Sequence, residues 1–266
     1  KNTEQNNESV KRNHDYRKSI SNGLSFTEYP STISPLVVAP MMSKNLESQN
    51  PTSIETMIAE YMCFCKFYKV HYNAGILTNL RFSSPSLRPS GAFHDSDMLA
   101  LVELLLRHAN GALKHIIRLD FSIAGKEGKH ERNNKLVGFT SHGALSLAKA
   151  LQTTKYIRQV FLPRNRVGPY GATALFMACH TNPSIEDLNL RRCRIGQRGA
   201  LAFCEIILLG MDQRSTPSEK TDQDGGTKAL GHGLLNVNLS VNHIGHTGTA
   251  TIEILLQERG PGDNLV

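Results

Sequence analysis

The chain has no tryptophan, and aromatic residues of all kinds make up only 6% of its 266 positions. Interleaved aromatic side chains on which bases could stack are missing, as is a recognisable reading helix, so nucleic acid is a poor fit despite a surplus of positive charge. Cysteine is scarce and odd in number. Five residues without framework spacing argue against a disulfide-built secreted domain and for a reducing, cytoplasmic compartment. All five are expected to be packing residues. Cys63 and Cys65 form a Cys-x-Cys pair and His243 and His246 stand three apart, but neither pair has the further ligands a tetrahedral metal site needs. Long hydrophobic runs are also lacking: the apolar stretch Ile33 to Met42 is too short and too broken by proline to span a membrane.

Catalytic signatures are equally thin. The eleven histidines are scattered, with no serine or cysteine nucleophile and carboxylate at a recognisable spacing. Gly125-Lys126-Glu127-Gly128-Lys129 lacks the glycine spacing, and the Ser or Thr after lysine, of a phosphate-binding loop. No enzyme and no cofactor are expected.

What the chain does have is internal repetition. Val160-Phe161-Leu162-Pro163-Arg164-Asn165-Arg166-Val167-Gly168-Pro169-Tyr170-Gly171-Ala172 returns as Leu188-Asn189-Leu190-Arg191-Arg192-Cys193-Arg194-Ile195-Gly196-Gln197-Arg198-Gly199-Ala200, and again from Val237 to Gly248. The step from Val160 to Leu188 sets the period. In each copy two apolar residues one apart point inward from a short strand and the residue between them faces outward. Asn165, Cys193 and Asn242 take a turn position where a buried polar or small group can bond to backbone. Gly168, Gly196 and Gly245 permit a tight bend, and Gly171, Gly199 and Gly248 let the following helix approach its neighbour. Each unit is read as strand, turn, helix.

Two divergent copies are expected upstream, Leu80-Arg81-Phe82 with Leu87 to Ala92, and Leu119-Asp120-Phe121 with Phe139 to Ala144. The steps from Leu80 to Leu119, from Leu119 to Val160 and from Leu188 to Val237 are all longer than the period, which implies an insertion in each. Polar loops at 125–135 and 211–233 account for two of them. Adding one period to Val237 reaches Leu265, where a further strand is expected to begin, so the array reads as truncated at 266. Residues 1–50, rich in Asn, Ser, Glu and Lys, are expected to be a disordered tail. Residues 51–72 read as a capping helix, with Thr52 and Glu55 at capping-box spacing, and 73–266 as the repeat domain of about five units.

The pattern L-x-x-L-x-L-x-x-N/C-x-I-G-x-x-G-A, at a period of roughly 28 residues, resembles the ribonuclease-inhibitor-like leucine-rich repeat subfamily. The resemblance implies an α/β right-handed solenoid, a horseshoe with parallel inner strands, outer helices and a helical N-terminal cap. Tyr61-x-x-x-Cys65-Lys66-x-x-Lys69-Val70-x-x-Asn73-x-x-Ile76-Leu77-x-x-Leu80 is similar to the capping helix and first strand of leucine-rich-repeat proteins of cilia and flagella, those of the dynein regulatory complex among them. That similarity implies a scaffold of the cytoplasm, associated with cytoskeleton or cilium. Ran-type GTPase-activating proteins share the subfamily and supply an alternative function. They are acidic, however, and need an Asn in an early turn, where this basic chain is read to carry Pro85 and Ala124. Innate sensors place such arrays after a nucleotide-binding module, which nothing in residues 1–72 resembles.

Charge supplies the candidate site. Of the net +7, the first 50 residues hold six basic and five acidic side chains, leaving +6 on the remainder. Between Ile157 and Ala200 there are seven arginines, no lysine, and only Glu186 and Asp187 in opposition. Arg158, Arg164, Arg166, Arg191, Arg192 and Arg194 are expected to stack into a basic ridge along one rim of the concave face, with Phe161 as its aromatic contact. Arginine suits bidentate binding of carboxylate or phosphate. The expected function is a non-catalytic scaffold gripping an acidic protein partner.

Overall fold

The structure, a computed structural model, describes residues 54–108, 111–123, 138–209 and 234–259. The expected tail, the Thr52 capping box, the insertions at 125–135 and 211–233 and the strand anticipated at Leu265 lie outside them. Among the described residues, no helix is long and apolar enough to cross a membrane.

Helix α1 (Ile54–Phe67) buries Met57, Tyr61 and Cys65, a four-residue spacing that puts one stripe against the rest of the molecule. Its Glu60 side chain accepts from Arg107 Nη1 at 3.3 Å and pairs with His108. Helix α2 (Ala74–Arg81) follows. Here the structure corrects the sequence: Leu80-Arg81-Phe82 is no strand. Asn73 caps α2, its side chain accepting from Gly75 N and Ile76 N, while Ile76 and Leu80, one turn apart, are both buried. Phe82 ends up 74% exposed. The first strand is β1 (Ser86–Leu87), so the interval from Leu87 to Leu119 is close to a single period and the large insertion inferred there shrinks to a short one. Pro85 precedes the strand rather than occupying a turn; its carbonyl accepts from Ile117 N and Arg118 N.

Beyond β1 the chain alternates regularly: α3 (Asp95–His108), β2 (Arg118–Asp120), α4 (Ser141–Thr153), β3 (Gln159–Phe161), α5 (Gly168–Thr181), β4 (Asp187–Asn189), α6 (Gly196–Phe203) running into a π-helical turn over Cys204–Leu209, β5 (Asn236–Asn238) and α7 (Gly245–Arg259). The strands form one open parallel sheet in chain order, β1-β2-β3-β4-β5. A helix in every crossover is what joins parallel neighbours. Register aligns Leu87, Leu119, Val160, Leu188 and Val237 in a single row. All five are buried, as are Leu162, Leu190 and Leu239 in the next row. Each such side chain contributes roughly 1.5–3 kcal/mol of burial.

The turns between strand and helix obey the sequence pattern. Asn165 Nδ2 donates to Phe121 O and Leu162 O, and Asn242 Nδ2 to Leu190 O and Leu239 O, at 2.8–3.0 Å. Cys193 fills the same place, its Sγ 3.1 Å from Leu162 O. Gly168, Gly196 and Gly245 sit at φ +65°, +66° and +72°, a backbone region glycine enters without strain. At Gly171 a Cβ would lie 2.8 Å from Ala144 Cβ, so glycine sets the α4–α5 approach.

Candidate interaction surface

The turns that follow β3 and β4 are bonded to one another through backbone. Arg164 N donates to Arg191 O at 2.9 Å, Gly168 N to Cys193 O at 2.9 Å, and the next turn repeats the bonding with Arg192 N to Ser240 O at 3.1 Å and Gly196 N to Asn242 O at 3.0 Å. Equivalent positions therefore lie side by side, about 5 Å apart along the backbone. Arg164 beside Arg192, Arg166 beside Arg194, and Arg191 at the start of the turn after β4 make a basic rim. Arg164, Arg192 and Arg194 adopt φ of 68°, 57° and 58°, which turns the chain so that the intervening Asn165 or Cys193 reaches inward. Arg166, Arg191 and Arg194 are exposed, whereas Arg164 and Arg192 are half-buried. Among the described residues, no carboxylate pairs with Arg166, Arg191, Arg192 or Arg194. Like charges held this close repel by tenths of a kcal/mol per pair in water, too little to prevent folding but enough to favour an anion.

Two members of the expected ridge lie elsewhere. Arg158 is at the opposite end of the strand, where its Nη1 donates to Glu186 Oε1 of the adjacent repeat. Both residues immediately precede a strand, and the parallel register of β3 with β4 sets them side by side. Arg158 is thus a rim residue neither by place nor by charge. Phe161 stands on the face of the sheet opposite the buried Val160, half-buried, with the Arg118 guanidinium 4.1 Å from its ring centroid. Arg198, on α6, stacks on Tyr170 at 4.8 Å and donates to its hydroxyl.

The open face of the sheet is mixed in character and not lined by arginine. Asp187 accepts from Gln159 Nε2 at 2.7 Å and from Asn236 Nδ2 at 2.6 Å, tying β3, β4 and β5 together in one polar row. Arg118 donates to Asp120 Oδ2 at 3.3 Å. Sequence reasoning overlooked Arg118, Asp120 and Asp187. Their signal was available, since aligning the residues that flank each buried Leu or Val puts them in rows with Phe161 and Gln159.

Other chemistry is sparse. Among the described residues, no group of three or more His, Cys, Asp or Glu is arranged to hold a metal ion. Cys65, Cys179, Cys193 and Cys204 are buried and Cys63 is exposed. Burial pushes the Cys179, Cys193 and Cys204 thiols up to about 12, which keeps them protonated and unreactive. An open cleft of about 410 Å³ lies beside Tyr72, Asn73 and Asp97. Two of its polar side chains are engaged locally: Asn73 Oδ1 accepts from Gly75 N and Ser90 N, and Asp97 from His94 N.

No protein-family model matches the chain, and a comparison with curated proteins finds no match either.

Proposed function

We propose that the chain is a leucine-rich-repeat horseshoe of the ribonuclease-inhibitor-like kind and acts as a non-catalytic scaffold. Its basic rim binds an acidic surface on a protein partner in the cytoplasm, in association with cytoskeleton or cilium. Support for the fold comes from the in-order parallel sheet with a helix in every crossover, the buried Asn165 and Asn242 turns and the recurrence of the Val160 segment at Leu188. The observation that carries the binding reading is the juxtaposition of Arg166, Arg191, Arg192 and Arg194 on two backbone-bonded turns, with no carboxylate among the described residues to neutralise them. Arginine's planar fork matches carboxylates two bonds at a time.

The test uses the exposed members of the rim. A variant carrying Arg166→Glu, Arg191→Glu and Arg194→Glu should lose capture of partner proteins from the native cell while unfolding at nearly the temperature of the parent. Undiminished capture would refute the reading. In an assay of GTP hydrolysis across a panel of small GTPases, a scaffold leaves the rates unchanged, and acceleration of any of them would favour the GTPase-activating alternative instead.

A further inference from the structure

Strand β3 departs from its neighbours in two residues at once. After β2, β4 and β5 the backbone N–H two positions past the outward-facing residue is taken by that residue's own side chain: Ser122 N donates to Asp120 Oδ1, Arg191 N to Asn189 Oδ1 and Ser240 N to Asn238 Oδ1, all at 3.0–3.1 Å. The corresponding N–H after β1, on Ser90, goes to Asn73 Oδ1 at 2.8 Å. A backbone donor left without an acceptor is costly, which explains the recurring Asp or Asn. In β3 the donor position is Pro163, which has no N–H, and the acceptor position is Phe161. Proline removes the need for a polar side chain. It does not explain why a large ring replaces one on a sheet face whose other residues are polar or charged, among them Arg118, Asp120, Gln159, Asp187, Asn189 and Asn238.

We propose that Phe161, Pro163 and Arg118 form an anchor subsite in the middle of the open sheet face, fitted to one apolar side chain of an otherwise acidic, extended protein segment. The proposal rests on the rim reading above and specifies the partner's composition. The Arg118 guanidinium covers one side of the Phe161 ring and donates to Asp120 through one long bond. With its side chain 39% exposed, Arg118 keeps other donors for a carboxylate. Pro163 continues the apolar surface to Arg164, where the rim begins. Phe161 and Arg164 are three residues apart, with a turn beginning at Pro163, so at most about 10 Å separates anchor from rim and a short ligand reaches both. An aromatic beside arginine is the composition of an interface hot spot, and the rim arginines beyond Pro163 select acidic residues on that side of the anchored one.

Fluorescence anisotropy of the full chain with two labelled probes tests this: a peptide of ten glutamates, and the same peptide with phenylalanine at its centre. The second should bind about tenfold more tightly. That advantage should vanish in the double variant Phe161→Asn, Pro163→Ser, which gives β3 the Asn-x-Ser ending of β5 and so keeps the turn's hydrogen bonding. Arg166→Glu with Arg194→Glu should abolish binding of both probes. Equal affinity of the parent chain for the two probes, or an advantage that survives the double variant, overturns the anchor and leaves the rim intact. If neither probe binds the parent chain, rim and anchor fall together.

Discussion

Asn242 bears more of the structure than any charged residue on the surface. Its amide nitrogen donates to Leu190 O and Leu239 O at 2.8 Å each, and its oxygen accepts from Cys193 N at 2.6 Å, all within buried backbone. Water cannot replace these bonds, so Asn242→Ala should destabilise the chain by about 3 kcal/mol, the sum of one lost polar network and its stranded groups. Urea unfolding followed by circular dichroism measures it, and a loss within experimental noise would mean the turn tolerates an apolar filler. Cys193 shows how a weaker group can serve at the same position, through a thiol contact to Leu162 O. The thiols allow a second check. A raised pKa means that the thiolate, the reactive form, is scarce at pH 8, so Cys179, Cys193 and Cys204 should resist alkylation there. Exposed Cys63 should react first, giving one rapid modification per native chain by mass spectrometry and the remainder only in denaturant.

Among the elements, α4 depends on a side chain from a neighbouring repeat. Asp95, the first residue of α3, accepts from Thr140 N and Thr140 Oγ1 at 2.7 Å and from Gly143 N at 2.9 Å. By contrast, the cap positions of α5 and α6, Val167 and Ile195, make no side-chain cap bond. A carboxylate at a helix N-terminus satisfies free N–H groups and offsets the dipole. Asp95→Ala should therefore cost about 2 kcal/mol, while Asp95→Asn, which retains an acceptor, should cost less. Thermal unfolding of the two variants distinguishes them, and equal losses would show that charge, rather than acceptance, is what matters. The same element-level logic explains the misplaced first strand. Leu80-Arg81-Phe82 matches the apolar alternation of a strand, but so short a match is ambiguous between strand and helix. Asn73 resolved it, because its side chain caps the N–H groups of Gly75 and Ile76 and so starts a helix that buries Ile76 and Leu80 and leaves Phe82 exposed.

At the scale of the whole molecule, the charged residues around β3 and β4 differ in how they are paired at the two ends of the strands, among the described residues. Acidic Glu186 and Asp187 lie at the entry to the strands, where Arg158, Gln159 and Asn236 occupy them, and the arginines of the rim lie at the exit. Arg166, Arg191, Arg192 and Arg194, without a carboxylate partner among the described residues, are thereby clustered on that edge. Binding through that edge should weaken by about tenfold between about 0.01 and 0.15 M salt, as the screening length falls from about 30 to about 8 Å. Isothermal titration with the ten-glutamate probe at the two salt concentrations measures this; a salt-independent affinity would overturn the rim as the binding site.

The period, the buried rows and the turn glycines were legible in the amino-acid order alone. Side-chain type at fixed spacing decides which faces leave water, and Val160, Leu188 and Val237 recur with their turns intact. Only tertiary structure decided which residues meet across repeats. It paired Arg158 with Glu186, laid Arg118 over Phe161, and moved the first strand to Ser86–Leu87. Those outcomes depend on the register between strands and on which helix cap is satisfied, contacts between residues far apart in the chain that a local pattern does not encode.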